Sequence, residues 1–255
     1  CVLREIFHTL ADKAGLEDDP WEGVRLRPDD CHSRRELTMD ELKRLLAAAK
    51  KAGEEWQKLF LIGIYTGLRL GDCCRLDWSN INLAQGIIQL IPSKTRRHAH
   101  GRPITIPIHQ TLGHALLASD ELRAKSEELN MDGSSFDALS TKHQALSTNF
   151  SGPVLPIIAE MYKQTRWHVS KYLSRIFKQA NITTCVRIEG RKKRTPEATF
   201  HSLRHTFVSL SANAGVPLHI VQSIVGHEST AMTRHYYHEN LTALQQAVNA
   251  IPALG

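Results

Sequence analysis

From Trp56 to Thr66 the sequence WQKLFLIGIYT is apolar nearly all the way round a helical wheel, and Gly67 stops it. A helix with no polar face has to be buried, so other elements must close around it. A chain of 255 residues is long enough to supply that cover. Thr38 and Glu41 form a capping box ahead of a helix over Leu42 to Lys51. Val169, Tyr172, Leu173, Ile176 and Phe177 share one face of a predicted helix from Trp167 to Ala180. A further helix is expected from His201 to Ala214, ended by Gly215, and Pro217 suits the first turn of the next, which runs through Val225. The last helices are read over Thr230 to Tyr237 and Leu241 to Ile251. The period changes to two at Gly86 to Ile91 and at Pro103 to Pro107, which read as two strands. A basic hairpin loop from Lys94 to Arg102 joins them, and the prolines place the second strand at an edge. Ile182 to Thr199 reads as irregular and basic. The expected class is α+β, mostly helical, with a small antiparallel sheet.

Charge is unevenly placed. The formal net charge is +6, yet between Lys163 and Arg194 ten basic residues face only Glu189. That block carries +9 and the rest of the chain −3. Such a concentration attracts a polyanion, and its self-repulsion is relieved when one binds. An acidic stretch from Asp120 to Asp137 reads as an exposed helical insertion followed by a polar loop. No apolar run approaches the ~18 residues of a membrane span, and the charged start shows no signal-peptide pattern. The five cysteines have no C-x-x-C spacing, which argues against a disulfide framework or a zinc site and for a reducing, cytoplasmic setting. A start at Cys1 suggests a piece of something longer.

Five short features then fall in one order: Thr66-Gly67-Leu68-Arg69, Lys94 in the hairpin, His201-Ser202-Leu203-Arg204, Gly226-His227, and Tyr236 nine residues beyond that histidine. This pattern resembles the tyrosine recombinase (phage integrase) family, over roughly Arg35 to Glu239. The resemblance implies that family's catalytic-domain fold for residues 34–255. Residues 1–33 would be the C-terminal remnant of the DNA-clamping core-binding domain plus a linker.

The implied activity is site-specific DNA recombination or integration through a covalent 3′-phosphotyrosyl link, as in mobile elements. By the resemblance Tyr236 attacks the scissile phosphate, Arg69 and Arg204 clamp it, and Lys94 protonates the departing 5′-oxygen. His201 takes or shares the tyrosine proton, His227 bonds the phosphate, and Asp72 orients an arginine. The chemistry suits these residue types. A phenol has a pKa of about 10 and needs help to lose its proton. Guanidinium is always charged and binds phosphate through paired hydrogen bonds. No metal and no cofactor are called for. The partner would be a double-stranded DNA site, bound by a homotetramer that exchanges a C-terminal segment for which Leu241 to Ile251 is suited. The isolated chain can be a monomer, and no membrane is involved.

Other readings stand beside these. Arg96, Arg97 and Arg102 compete with Lys94 for a phosphate, and with Lys171, Arg175, Arg191, Lys192, Lys193 and Arg194 they are candidate DNA-binding residues. Tyr237 neighbours Tyr236, and the nine-residue offset selects Tyr236. His201 and His205 stand four apart like a zinc pair, but Ser202 occupies the position of the metalloprotease glutamate. A type IB topoisomerase shares the chemistry, and a DNA-binding module without catalysis is the rival from another class.

Overall fold

A computed structural model describes residues 2–15, 34–93, 103–117, 151–188 and 194–225. The chain divides into two compact units, Cys1–Ser33 and Arg34–Gly255. In the first, helix α1 spans Val2–Ala14 and stops at Gly15, whose φ of 64° is the left-handed conformation that glycine adopts freely.

The second unit is built around the apolar helix anticipated from sequence. Helix α2 (Met39–Ala52) starts at the Thr38–Glu41 capping box and buries Leu42, Leu45, Ala48 and Ala49. Helix α3 (Glu54–Thr66) follows at once, with Leu59, Phe60 and Ile62 fully buried. Arg69 caps the short helix α4 (Leu70–Cys73). A 3₁₀ turn, Trp78–Asn80, leads into strands β1 (Ile81–Asn82), β2 (Ile87–Leu90) and β3 (Ile104–Pro107). They form an antiparallel sheet in the order β1-β2-β3, so among the described residues β3 is an edge strand, as the prolines required. In the β2–β3 register Ile88 opposes Ile106 and both are buried, while Gln89 opposes Thr105 on the exposed face. That alternation lays the sheet's apolar side on the helical core.

Helix α5 is Gln110–Leu117, α6 is Pro156–Gln164 and α7 is Arg166–Gln179. The sequence reading passed over α6. Its start is set by proline in the first turn and by Glu55 of α3, whose carboxylate accepts the Ile157 and Ile158 N–H groups at 3.1 and 2.9 Å. On α7, Val169, Leu173, Ile176 and Phe177 are buried as expected, whereas Tyr172 is exposed and stacks on Trp56. The stretch read as irregular holds a two-stranded antiparallel pair, β4 (Cys185–Val186) with β5 (Thr195–Pro196). Two residues per strand are too few to show a period. Helices α8 (Phe200–Asn213) and α9 (Leu218–Val225) end the described part of the unit.

Phe60 of α3 meets Phe177 of α7 and Phe200 of α8, each at 5.8 Å between ring centres. Close approach of α3 and α8 depends on Gly63, because a Cβ there would stand 2.7 Å from the Phe200 ring and 2.9 Å from Leu203. Residues 34–37 are tied into this unit: the Arg35 N–H bonds Glu197 O at 3.0 Å, and the Leu37 N–H bonds the buried Thr206 hydroxyl at 2.8 Å. The Arg35 guanidinium grips both carboxylate oxygens of Glu41 at 2.7 and 2.6 Å, which lowers the Glu41 pKa to about 2. The acidic insertion and the helices expected at Thr230–Tyr237 and Leu241–Ile251 lie outside the described residues.

Candidate active site around the Gly67 turn

Helix α3 ends where Gly67 turns the chain at φ 62°. Only glycine fits: beyond its backbone angle, a Cβ would lie 2.8 Å from Phe207 and 3.1 Å from Val225. Leu68, buried, anchors the next residue, and the Arg69 carbonyl accepts the Asp72 and Cys73 N–H groups at 2.9 and 3.0 Å. The arginine is thereby held at the mouth of α4, and among the described residues it has no ion pair.

The second arginine arrives from α8. Ser202 accepts the Thr199 N–H at 3.1 Å to set the helix start, and Leu203 is fully buried, which turns Arg204 inward. Arg204 is 3% exposed and donates to the Gly67 carbonyl at 2.9 Å and to the Val225 carbonyl at 2.6 Å. Two of its five N–H groups thus fasten α8 to the turn before Arg69 and to the end of α9. Burial, then the charge of Arg69, lowers its pKa to about 9, while Asp72 opposes the shift. Two guanidiniums near enough to disturb each other leave an excess of positive charge that an anion would neutralise.

His201 stands one helical turn before Arg204, edge-on to His205 with ring centres 4.8 Å apart. Burial pushes its pKa down to about 3, helped by His205, Arg204, Arg34 and Arg69. At neutral pH it is an uncharged imidazole, with one ring nitrogen free of a proton and able to accept a hydrogen bond. Arg34 and His201 line a cavity of about 450 Å³ together with Ser170, Ser174 and Thr199. No sequence signal separated Arg34 from Arg35, and only the fold puts it beside the histidine.

A folded-state pKa below the unfolded value has a consequence for stability. The contribution is fully present above pH ~6.5 and is lost as pH falls from there toward 3, because the unfolded chain binds the proton first. Stability should therefore fall between pH 6 and pH 4 by up to about 1.4 kcal/mol per pH unit from this group. His201→Gln should flatten that slope in thermal unfolding measured across the same range. Equal slopes for the two proteins would contradict it.

Asp72, expected to orient an arginine, is buried with its Oδ1 accepting from Ser93: the N–H at 3.0 Å and the hydroxyl at 2.7 Å. The arginine it meets in an ion pair is Arg75, at 3.5 Å. The fold thus gathers Arg69, His201 and Arg204. Lys94, His227 and Tyr236 lie outside the described residues, as do Arg96, Arg97, Arg102, Arg191, Lys192 and Lys193. Lys171, Arg175 and Arg194 are exposed. Lys171 lies 4.9 Å from the centre of the Trp167 ring and Arg175 5.5 Å from that of Tyr172. No group of three or more potential metal ligands gathers among the described residues. No helix among them is long and apolar enough to cross a membrane.

Comparison with known proteins bears on the same residues. The tyrosine recombinase XerD of Shewanella oneidensis is 25% identical over 250 residues, covering 96% of this chain and 70% of that protein. XerC of Halalkalibacterium halodurans is 26% identical over 248 residues, 93% of this chain and 68% of its own. Among solved structures, a lambda integrase fragment bound as a dimer to a core site superposes with a TM-score of 0.57 at 20% identity, over 94% of this chain and 71% of that one. The Tn1549 transposon integrase with circular intermediate DNA gives a TM-score of 0.59 at 17% identity, over 97% and 76%. These likenesses show the shared fold. The sequence pattern described as the Phage integrase family matches residues 35–242, and with so much of its length accounted for, the chain belongs to that family, the tyrosine recombinases, which cleave and rejoin DNA strands.

Proposed function

We propose that residues 34–255 are the catalytic domain of a site-specific recombinase or integrase, and that residues 1–33 are the end of a core-binding domain with its linker. The observation that carries this reading is the meeting of Arg69, Arg204 and an uncharged His201 at one turn, with positive charge in excess. Such a site fits one DNA phosphate. The Tyr236 oxygen attacks phosphorus, the bond from phosphorus to the 5′-oxygen breaks, and the DNA stays attached as a 3′-phosphotyrosyl ester. His201, made more basic once an anionic phosphate offsets the nearby arginine charges, takes or shares the phenolic proton, and Lys94 gives a proton to the leaving 5′-oxygen. Charge that builds on the non-bridging oxygens is met by both guanidiniums and by His227. A 5′-hydroxyl from a partner strand reverses the step, with the energy of the broken bond retained in the ester.

Double-stranded DNA as partner is supported by the exposed cations of α7 and Arg194, none of which has an ion pair among the described residues. Lambda integrase has been solved as a tetramer on a Holliday junction, with a TM-score of 0.56 to this chain at 20% identity. That supports a homotetramer for the full protein on two duplexes. The test is covalent trapping on duplexes drawn from the DNA that flanks the gene, each nicked so that the released strand diffuses away. The expected product is an SDS-resistant adduct at a DNA 3′ end, formed at one sequence. An adduct at a 5′ end, or none, would overturn the reading. Relaxation of supercoils at no fixed sequence would favour the topoisomerase.

A further inference from the structure

Short helix α4 and the end of β2 are fastened by a compact set of polar contacts. Asp72 has a side chain only 4% exposed, and its Oδ1 takes both the Ser93 N–H and the Ser93 hydroxyl. Arg75 Nη2 reaches the same hydroxyl oxygen at 2.8 Å while standing 3.5 Å from Asp72 Oδ1. The Arg75 guanidinium is also 5.5 Å from the centre of the Tyr162 ring on α6. The Tyr162 hydroxyl comes so close to α4 that a Cβ on Gly71 would lie 2.7 Å from it. Two side chains, Asp72 and Arg75, thus hold one serine, with Tyr162 of α6 against Arg75, and Asp72 Oδ2 is buried there with no hydrogen-bond partner among the described residues. A buried carboxylate is costly, and one with an unmatched oxygen more so, which an apolar residue would avoid.

The place of that serine gives the arrangement its meaning. Ser93 is joined by a peptide bond to Lys94, and Asp72 lies one helical turn from Arg69. Ser93 and Pro103, the residues that flank the hairpin loop, line a single cavity of about 410 Å³ with Asp72 and Arg75. We propose that Asp72, Ser93 and Arg75 are positioning residues that hold the root of the hairpin at a set distance from the Arg69 turn. They fix the residue bonded to Lys94, the proposed donor to the 5′-oxygen. Asp72 acts through Ser93, beside the charge effect it has on Arg204. This rests on the reading of Lys94 as the proton donor.

The test uses two trapping substrates that differ only at the leaving atom, one with oxygen and one with a 5′-bridging sulfur. A thiolate, with a conjugate-acid pKa of about 8.5, departs without a donated proton. A defect in proton delivery is therefore relieved by sulfur, and a defect in phosphate binding or in folding is not. Lys94→Ala, Asp72→Asn and Ser93→Ala should each slow single-turnover cleavage of the oxygen substrate. The loss should be on the order of 10²-fold for the lysine and at least about tenfold for the other two. All three should return to within about threefold of the native rate on sulfur. Arg69→Ala should stay slow on both. Ser93 is exposed, so Ser93→Ala keeps the measurement open if Asp72→Asn folds badly. Relief of Lys94→Ala together with unrelieved Asp72→Asn and Ser93→Ala would overturn the positioning role alone. An unrelieved Lys94→Ala would overturn the lysine's role as donor and the positioning proposal with it.

Discussion

Tyr236→Phe is expected to eliminate covalent trapping, while Tyr237→Phe leaves it within a few-fold of the native yield. The substitution removes one oxygen and keeps the ring, so packing and DNA affinity should be almost unaltered and the loss falls on the chemical step. On the proposed mechanism no other group can replace the phenol, because the ester to the enzyme is formed by that oxygen. Neighbouring residues on a helix point about 100° apart, and a helix is the sequence reading for Thr230 to Tyr237. Only one of the two can therefore face a phosphate held by Arg69 and Arg204. The measurement is adduct yield on denaturing gels with DNA affinity measured in parallel. Trapping lost in Tyr237→Phe alone would move the nucleophile by one position.

The apolar helix at Trp56 to Thr66, the capping box at Thr38 and the edge strand with its prolines were all legible, because each is written in neighbouring residues. What escaped reading depends on partners distant along the chain. Helix α6 begins where Glu55, about a hundred residues earlier, supplies the caps. The β4–β5 pair consists of two-residue strands with no period to detect. At the site the contrast is similar. Arg69 and Arg204 could be singled out by short motifs, and the fold brings them together. That Arg204 would spend two N–H groups on backbone carbonyls was not visible, nor that Asp72 would turn to Ser93. Both depend on which loops the core brings to a given side chain. Arg34 beside His201 is a third case, since nothing in the pair Arg34-Arg35 says which one forms the ion pairs with Glu41 and Glu197.

The dual task of Arg204 leads to the second large effect, a split between two arginines that motif reading treats alike. Arg69→Ala should slow single-turnover cleavage by about 10²–10³ through loss of one preorganised donor, with little change in thermal stability. Removing its charge also relieves a repulsion that lowers the Arg204 pKa, which works in favour of stability. Arg204→Ala should lose cleavage at least as severely and stability as well. It leaves the Gly67 and Val225 carbonyls without their donors, at roughly 1–3 kcal/mol for each that stays unsatisfied. Arg204→Lys separates the two tasks. Its charge remains, but one ammonium cannot span both carbonyls and also present a flat pair of donors to phosphate. It should recover part of the stability and little of the rate. Single-turnover trapping and thermal unfolding on the four proteins decide the matter. If Arg69→Ala cleaved at the native rate, the turn would not be a phosphate clamp. If Arg204→Ala unfolded at the native temperature, the two carbonyl bonds would not be what fastens α8 to the turn that carries Arg69.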